Sequence, residues 1–209
     1  MTDAAVRQPI SITEDDDDAD SIEIAVTDDV MAMIVIEDAR WHPFLDQTEH
    51  EKLVSIMNQA MKQALNQAKK QKTKQKTKQK TKQEAMKPAK HLASPSEFTV
   101  MLTNDAQMAV LNQQFRQKAV PTNVLSFPDH QDDHYLGDIA IGYDIMTTEA
   151  TATDTPVVDH FLHLLVHGIL HLLGFDHIDD AEAHVMETAE KQILASIGIA
   201  DPYEYRDKG

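Results

Sequence analysis

The chain has 209 residues, no cysteine, and 35 acidic against 19 basic residues, for a formal net charge of −16. Without cysteine there are no disulfide staples and no thiolate metal sites, which fits a reducing compartment; with no signal-type run in Met1–Ile10 and no apolar stretch of membrane-spanning length, a cytoplasmic protein without a membrane partner is expected. The length suits one well-cored domain with surplus chain, and so acidic a composition excludes a protein that holds nucleic acid by bulk charge alone.

Residues 1–20, with Glu14 and the run Asp15 to Asp18, read as a disordered acidic tail ahead of a single domain spanning 21–209. Ile22, Ile24 and Val26 alternate as a strand would, and Met31 to Ile36 is a denser apolar candidate; one of the two, preferably the second, is expected to form the first strand. Thr48 and Glu51 make a capping-box pattern before Leu53, Ile56, Met57, Ala60, Ala64, Leu65 and Ala68, which recur at helical spacing. A Lys-rich low-complexity segment follows at about 69–95, where Gln-Lys-Thr-Lys repeats three times from Gln71 to Lys82 without an apolar residue. Such a segment cannot bury a face, so it reads as a solvated helix extension or a loop, serving as an RNA or ribosome tether or as a tolerated expansion. It holds ten of the nineteen basic residues, which leaves the remainder more acidic than the total suggests.

From Glu97 the pattern tightens. Phe98, Val100 and Leu102 alternate as a strand, and Asn104 or Asp105 caps a helix carrying Met108, Leu111 and Phe115. Thr122 to Phe127 and Leu136 to Ile141 supply two more strands, and Pro156 opens a long apolar helix at a position where its missing N–H costs nothing. Asp179 or Asp180 caps a last helix with Val185, Met186, Ala189, Ile193, Leu194 and Ile197, ended by Gly198. These elements predict an α+β fold: a mixed sheet of about four strands packed with four to five helices, the long apolar helix at its centre.

That central helix carries the chemistry. His167 and His171 stand four residues apart and share one face of a helix, so both can address one ion. Gly174 sits where the helix would stop, and a residue without Cβ enters the left-handed conformation cheaply, letting the chain reverse and return His177. Three neutral nitrogen donors suit zinc, one ion per chain, with a fourth coordination position left for water. Buried histidines without partners would be costly in so apolar a helix, which favours the ligand reading. His163, one turn earlier, would close the site, so it is read as a core residue or a support to the ligands. Asp176 orients a ligand or caps the turn, with the capping role preferred.

The same spacing occurs in metzincin peptidases, where the residue after the first histidine is a glutamate general base. Here that residue is Gly168. A zinc metallopeptidase would therefore have to find another carboxylate, and the sequence fixes none in place.

The motif from His167 to His177 resembles the signature H-G-x-L-H-L-x-G-[FY]-D-H of the YbeY family of single-strand-specific endoribonucleases, also described as rRNA maturation factors. Leu111 to Arg116, Pro121 to Pro128 and Leu136 to Ile139 resemble that family's L-N-x-x-[YF]-R, P-T-[ND]-V-L-S-F-P and L-G-D-[IL] segments in the same order, and the likeness covers about residues 97–203. Gln117 departs from the glycine usual after the arginine, and Asp129-His130 from a Phe-Glu type pair; the Lys-rich segment is an insertion. The resemblance implies that His167, His171 and His177 are zinc ligands and that Arg116 joins them as a catalytic residue of the cleft. A fixed guanidinium can bind two phosphoryl oxygens as negative charge builds on them, although unaided by the resemblance Arg116 reads as well as a helix C-terminal cation. Ser126 and Asp138 are read as hydrogen-bonding supports. The resemblance further implies hydrolysis of single-stranded RNA in 16S rRNA 3′-end maturation and late small-subunit quality control, with the small ribosomal subunit and its assembly proteins as partners. A non-catalytic ribosome-assembly adaptor with a structural zinc is the remaining alternative, and the oligomeric state stays open.

Overall fold

The side-chain alternation of the first two strands decides which face each one buries. In the computed structural model, β1 (Asp20–Thr27) pairs antiparallel with β2 (Val30–Ile36), and Ile24 and Val26 point inward beside Val30, Ala32 and Ile34. The structure describes residues 20–27, 29–45, 58–59, 62–64, 66 and 96–204. The acidic run, the capping box at Thr48 and Glu51, and the Lys-rich segment lie outside the described residues.

Two further strands continue in parallel: β3 (Ser96–Thr103) beside β2, and β5 (Tyr135–Gly142) beside β3. The edge strand β4 (Val124–Pro128) pairs antiparallel with β5, giving the order β1-β2-β3-β5-β4. The sheet is mixed, as expected, but has five strands rather than about four. Both N-terminal candidates are strands: β1 is an edge, so its outward residues Glu23 and Ala25 stay solvated while its inward ones pack. Asp20 already belongs to β1, which ends any N-terminal tail one residue sooner than read.

Four α-helices are complete among the described residues: α1 (Asp105–Arg116), α2 (Tyr143–Ala152), α3 (Val157–Leu172) and α4 (Asp180–Ser196). Asn104 caps α1 through the Gln107 N–H, and Asp179 caps α4 through the Glu182 N–H. Pro156 is the N-cap of α3 rather than its first helical residue. Ala64, within the helical spacing read from Leu53 to Ala68, is fully buried in the core.

Side-chain alternation along the strands places the helices in two layers. Ile34, Val100, Leu102, Ile139 and Ile141 share one core with Phe161, Leu165, Ile169 and Leu170 of α3 and with Met186 and Ile193 of α4. Met101, Leu125 and Ala140 face the other way and pack with Met108 and Leu111 of α1. α3 thus lies on one face of the sheet and α1 on the opposite face. The apolar girdle of α3, nine buried residues from Phe161 to Leu172, is why this helix is central.

Candidate metal centre

Burial on the sheet side leaves α3 one polar stripe, and on it His167 and His171 stand one above the other. After Leu173, Gly174 adopts φ 87°, its N–H bonds the His171 carbonyl at 3.0 Å, and the Phe175 N–H bonds the Leu170 carbonyl at 3.0 Å. This is the reversal expected of a left-handed glycine cap. Asp176 holds the next step by accepting the His177 N–H at 2.9 Å, a bond to the following residue rather than the helix-turn cap expected from the sequence. His177 returns to α3, and one ligand atom from each of His167, His171 and His177 lies within 4.8 Å of the others.

Each ring of the inner pair has one nitrogen already engaged by an acceptor. His171 Nδ1 lies 3.1 Å from the Phe175 carbonyl oxygen, and His167 Nδ1 lies 2.7 Å from a carboxylate oxygen of Glu190. Both oxygens are acceptors, so both Nδ1 atoms carry the proton and both Nε2 atoms present bare lone pairs. Those two Nε2 atoms face each other at 3.1 Å. Two nitrogens on one tetrahedral zinc at ~2.0–2.1 Å would stand about 3.3 Å apart. Protonating one ring is resisted at His171, where burial first, then the neighbouring His167 and His177, lowers the pKa to about 4. The donor set fits a zinc-type ion.

Glu190 is the residue that the sequence reading missed. It projects from α4 into the core with 0% exposure, its second oxygen accepts from the Tyr203 hydroxyl, and His163 Nε2 stands 3.7 Å away. Burial pushes this carboxyl up, but His163 and His167 beside it outweigh that and hold it well below the usual range, so it is ionised. The signal was available: an acid four residues after Met186 and three before Ile193 falls on the core stripe of its helix. His163 turns to Glu190 and the Tyr203 ring, not to the ligand cluster, consistent with a supporting role.

Gly168 separates this site from a peptidase. A Cβ built there would stand 2.9 Å from Ile139 Cγ2 and 3.0 Å from its Cδ1, so the position faces β5 and has no room for a glutamate. Met186 is core and His184 is exposed, as expected.

Arg116 is not brought into contact with the histidines. It ends α1 on the opposite layer, exposed, and makes no hydrogen bond or ion pair among the described residues. Gln117 follows it at φ 59°, a left-handed residue where a glycine would sit without strain. Asp138 is buried and accepts from the Tyr135 hydroxyl at 2.5 Å, a hydrogen-bonding support as read. Ser126 differs: its Oγ is buried without a hydrogen-bond partner among the described residues, because the side chain shares the inward face of β4 with Val124.

A family model described as Endoribonuclease YbeY matches residues 50–198. The chain belongs to the YbeY endoribonuclease family. Among its relatives, the Endoribonuclease YbeY of Maricaulis maris is 48% identical over 118 residues, covering 56% of this chain and 73% of the relative. That of Azorhizobium caulinodans is 47% identical over 119 residues, covering 54% and 75%. The solution structure of TM1509 from Thermotoga maritima shares the fold, with a TM-score of 0.50 at 23% identity over 85% of this chain and 93% of that one. No described helix is long and apolar enough to cross a membrane.

Proposed function

We propose that this YbeY-family chain is a zinc-dependent endoribonuclease that hydrolyses single-stranded RNA in the cytoplasm, acting in 16S rRNA 3′-end maturation and late small-subunit quality control. The facing Nε2 atoms of His167 and His171, with His177 completing the set, carry the reading. His167, His171 and His177 hold one zinc ion. When bound, zinc supplies Lewis acidity toward a phosphoryl oxygen and makes water a stronger nucleophile near neutral pH.

Hydrolysis joins a water oxygen to phosphorus while the bond to the leaving ribose oxygen breaks, and negative charge grows on the non-bridging oxygens. We assign that charge to Arg116 on the family resemblance alone: its guanidinium is free of other partners among the described residues, but it stands on the layer opposite the histidines, so the Arg116→Ala variant tests this role separately. With a net charge of −16, affinity for naked RNA is weak, and the small ribosomal subunit supplies the targeting.

The test is cleavage of a single-stranded oligoribonucleotide by the full chain, with and without a chelator, beside Arg116→Ala and His171→Ala. Chelation and His171→Ala should abolish cleavage, and Arg116→Ala should lower kcat by about 10²–10³. Cleavage indifferent to all three would refute the proposal. A chain that binds zinc but cleaves no RNA in any form would instead support the adaptor reading.

A further inference from the structure

The Glu190 carboxylate is enclosed completely, and each oxygen is committed to a different partner. One accepts from His167 Nδ1 at 2.7 Å and the other from the Tyr203 hydroxyl. Tyr203 comes from the turn beyond α4 and is itself latched: its N–H bonds Asp201 at 2.9 Å, Lys191 Nζ lies 3.1 Å from Asp201, and the same ammonium stands 5.4 Å from the Tyr203 ring centroid. The turn at 201–204 is therefore closed onto α4, and the Tyr203 hydroxyl ends on the carboxylate that faces His167.

We propose that Glu190 and Tyr203 form a positioning pair that fixes the tautomer and rotation of His167, so that the C-terminal turn sets the affinity of the three-histidine site for its metal. This rests on the metal reading above. A carboxylate accepting from Nδ1–H forces the Nε2 lone pair outward and raises its basicity, and the hydroxyl prevents the carboxylate from rotating away. A glutamine at 190 has a single acceptor oxygen and cannot receive from both sides at once, so one of the two bonds must reverse or be lost. If the amide N–H₂ turns to His167, it drives the proton to Nε2, the atom needed by the metal.

The experiment measures zinc affinity of the full chain by competition with a chromophoric chelator, beside Glu190→Gln and Tyr203→Phe, together with ¹⁵N imidazole spectra of the metal-free proteins. Tyr203→Phe keeps the ring and its packing, so it provides a variant expected to fold. Glu190→Gln should weaken zinc binding about 10–100-fold, and Tyr203→Phe should fall between it and the wild type. The ¹⁵N spectra should show His167 protonated at Nδ1 in the wild type and a mixture of tautomers in Glu190→Gln, a readout that a purely structural role would leave unmoved. Wild-type affinity in both variants, with an unchanged His167 tautomer, would overturn this inference alone. A wild-type chain that binds no zinc would overturn the metal reading and this inference with it.

Discussion

Gly168→Ala isolates the contact that keeps the histidine helix pressed on the sheet. The new methyl would sit 2.9 Å from Ile139 Cγ2, 3.0 Å from Cδ1 and 3.2 Å from Cγ1, whereas carbon atoms prefer about 3.5–4.0 Å. Ile139 cannot yield easily. It is fully buried, and a β-branched side chain has little rotamer freedom. Overpacking of this kind costs about 1–3 kcal/mol, while alanine in place of glycine within a helix returns about 1 kcal/mol. The net expectation is a loss of up to about 2 kcal/mol, read by urea unfolding of the metal-free chain, so that ligand binding does not mask it. Ile139→Ala alone leaves a cavity and costs about 2–5 kcal/mol. Combined with Gly168→Ala, the added methyl enters the vacated space, and the double variant should be more stable than the sum of the two losses by about 0.5–3 kcal/mol. A stabilising Gly168→Ala would mean that α3 stands off from β5, and would reopen the position to the glutamate of a peptidase.

Two further outcomes follow from local geometry and charge. Gln117→Gly should stabilise the chain by about 1 kcal/mol in the same unfolding assay, because Gln117 is held at φ 59° and glycine enters that region without the Cβ penalty; a destabilisation would show that the end of α1 is not left-handed. The metal-free chain should also weaken in acid. Burial first, and then the neighbouring histidines, take His171 from 6.5 to about 4, so between those values the unfolded chain binds the additional proton. The stability due to His171 is full above about 6.5 and is lost as the pH falls toward about 4. Urea midpoints that rise on acidification across that window would contradict a neutral, buried imidazole.

Local chemistry was the part of this chain most open to reading in advance. The caps Asn104 and Asp179, the left-handed Gly174 and the apolar girdle of α3 each depend on residues within a few positions of one another, and all stand where the pattern put them. Relations through space were harder. Preferring β2 over β1 undervalued a half-solvated edge strand, whose outward Glu23 and Ala25 dilute its apolar signal. Ser126 looked like a hydrogen-bonding residue by type, yet the register that pairs it with Ile139 turns it toward the inner face, where its hydroxyl has no partner among the described residues. Glu190 shows the converse. Charge type alone suggests a solvated side chain, and only its place on the core stripe of α4, opposite an imidazole on α3, marks it as buried and paired.

The three proposed ligands, His167, His171 and His177, differ in what it takes to order them. His167 and His171 are carried by a helix whose other faces are buried, and each Nδ1 is already committed, one to Glu190 and one to the Phe175 carbonyl. Their Nε2 atoms stand 3.1 Å apart. If they hold a cation as proposed, two of the three rings would already be oriented before it binds, as in preorganised sites in general. His177 is exposed and is tied mainly through its own backbone N–H to Asp176, so the remaining conformational entropy lost on binding falls chiefly on this residue. The reversal at Gly174 keeps that loss small by delivering His177 within 4.9 Å of the His171 ring centre and 5.4 Å of that of His167. In the proposed site, one helical turn and one glycine cap would thus leave a single side chain to settle on binding.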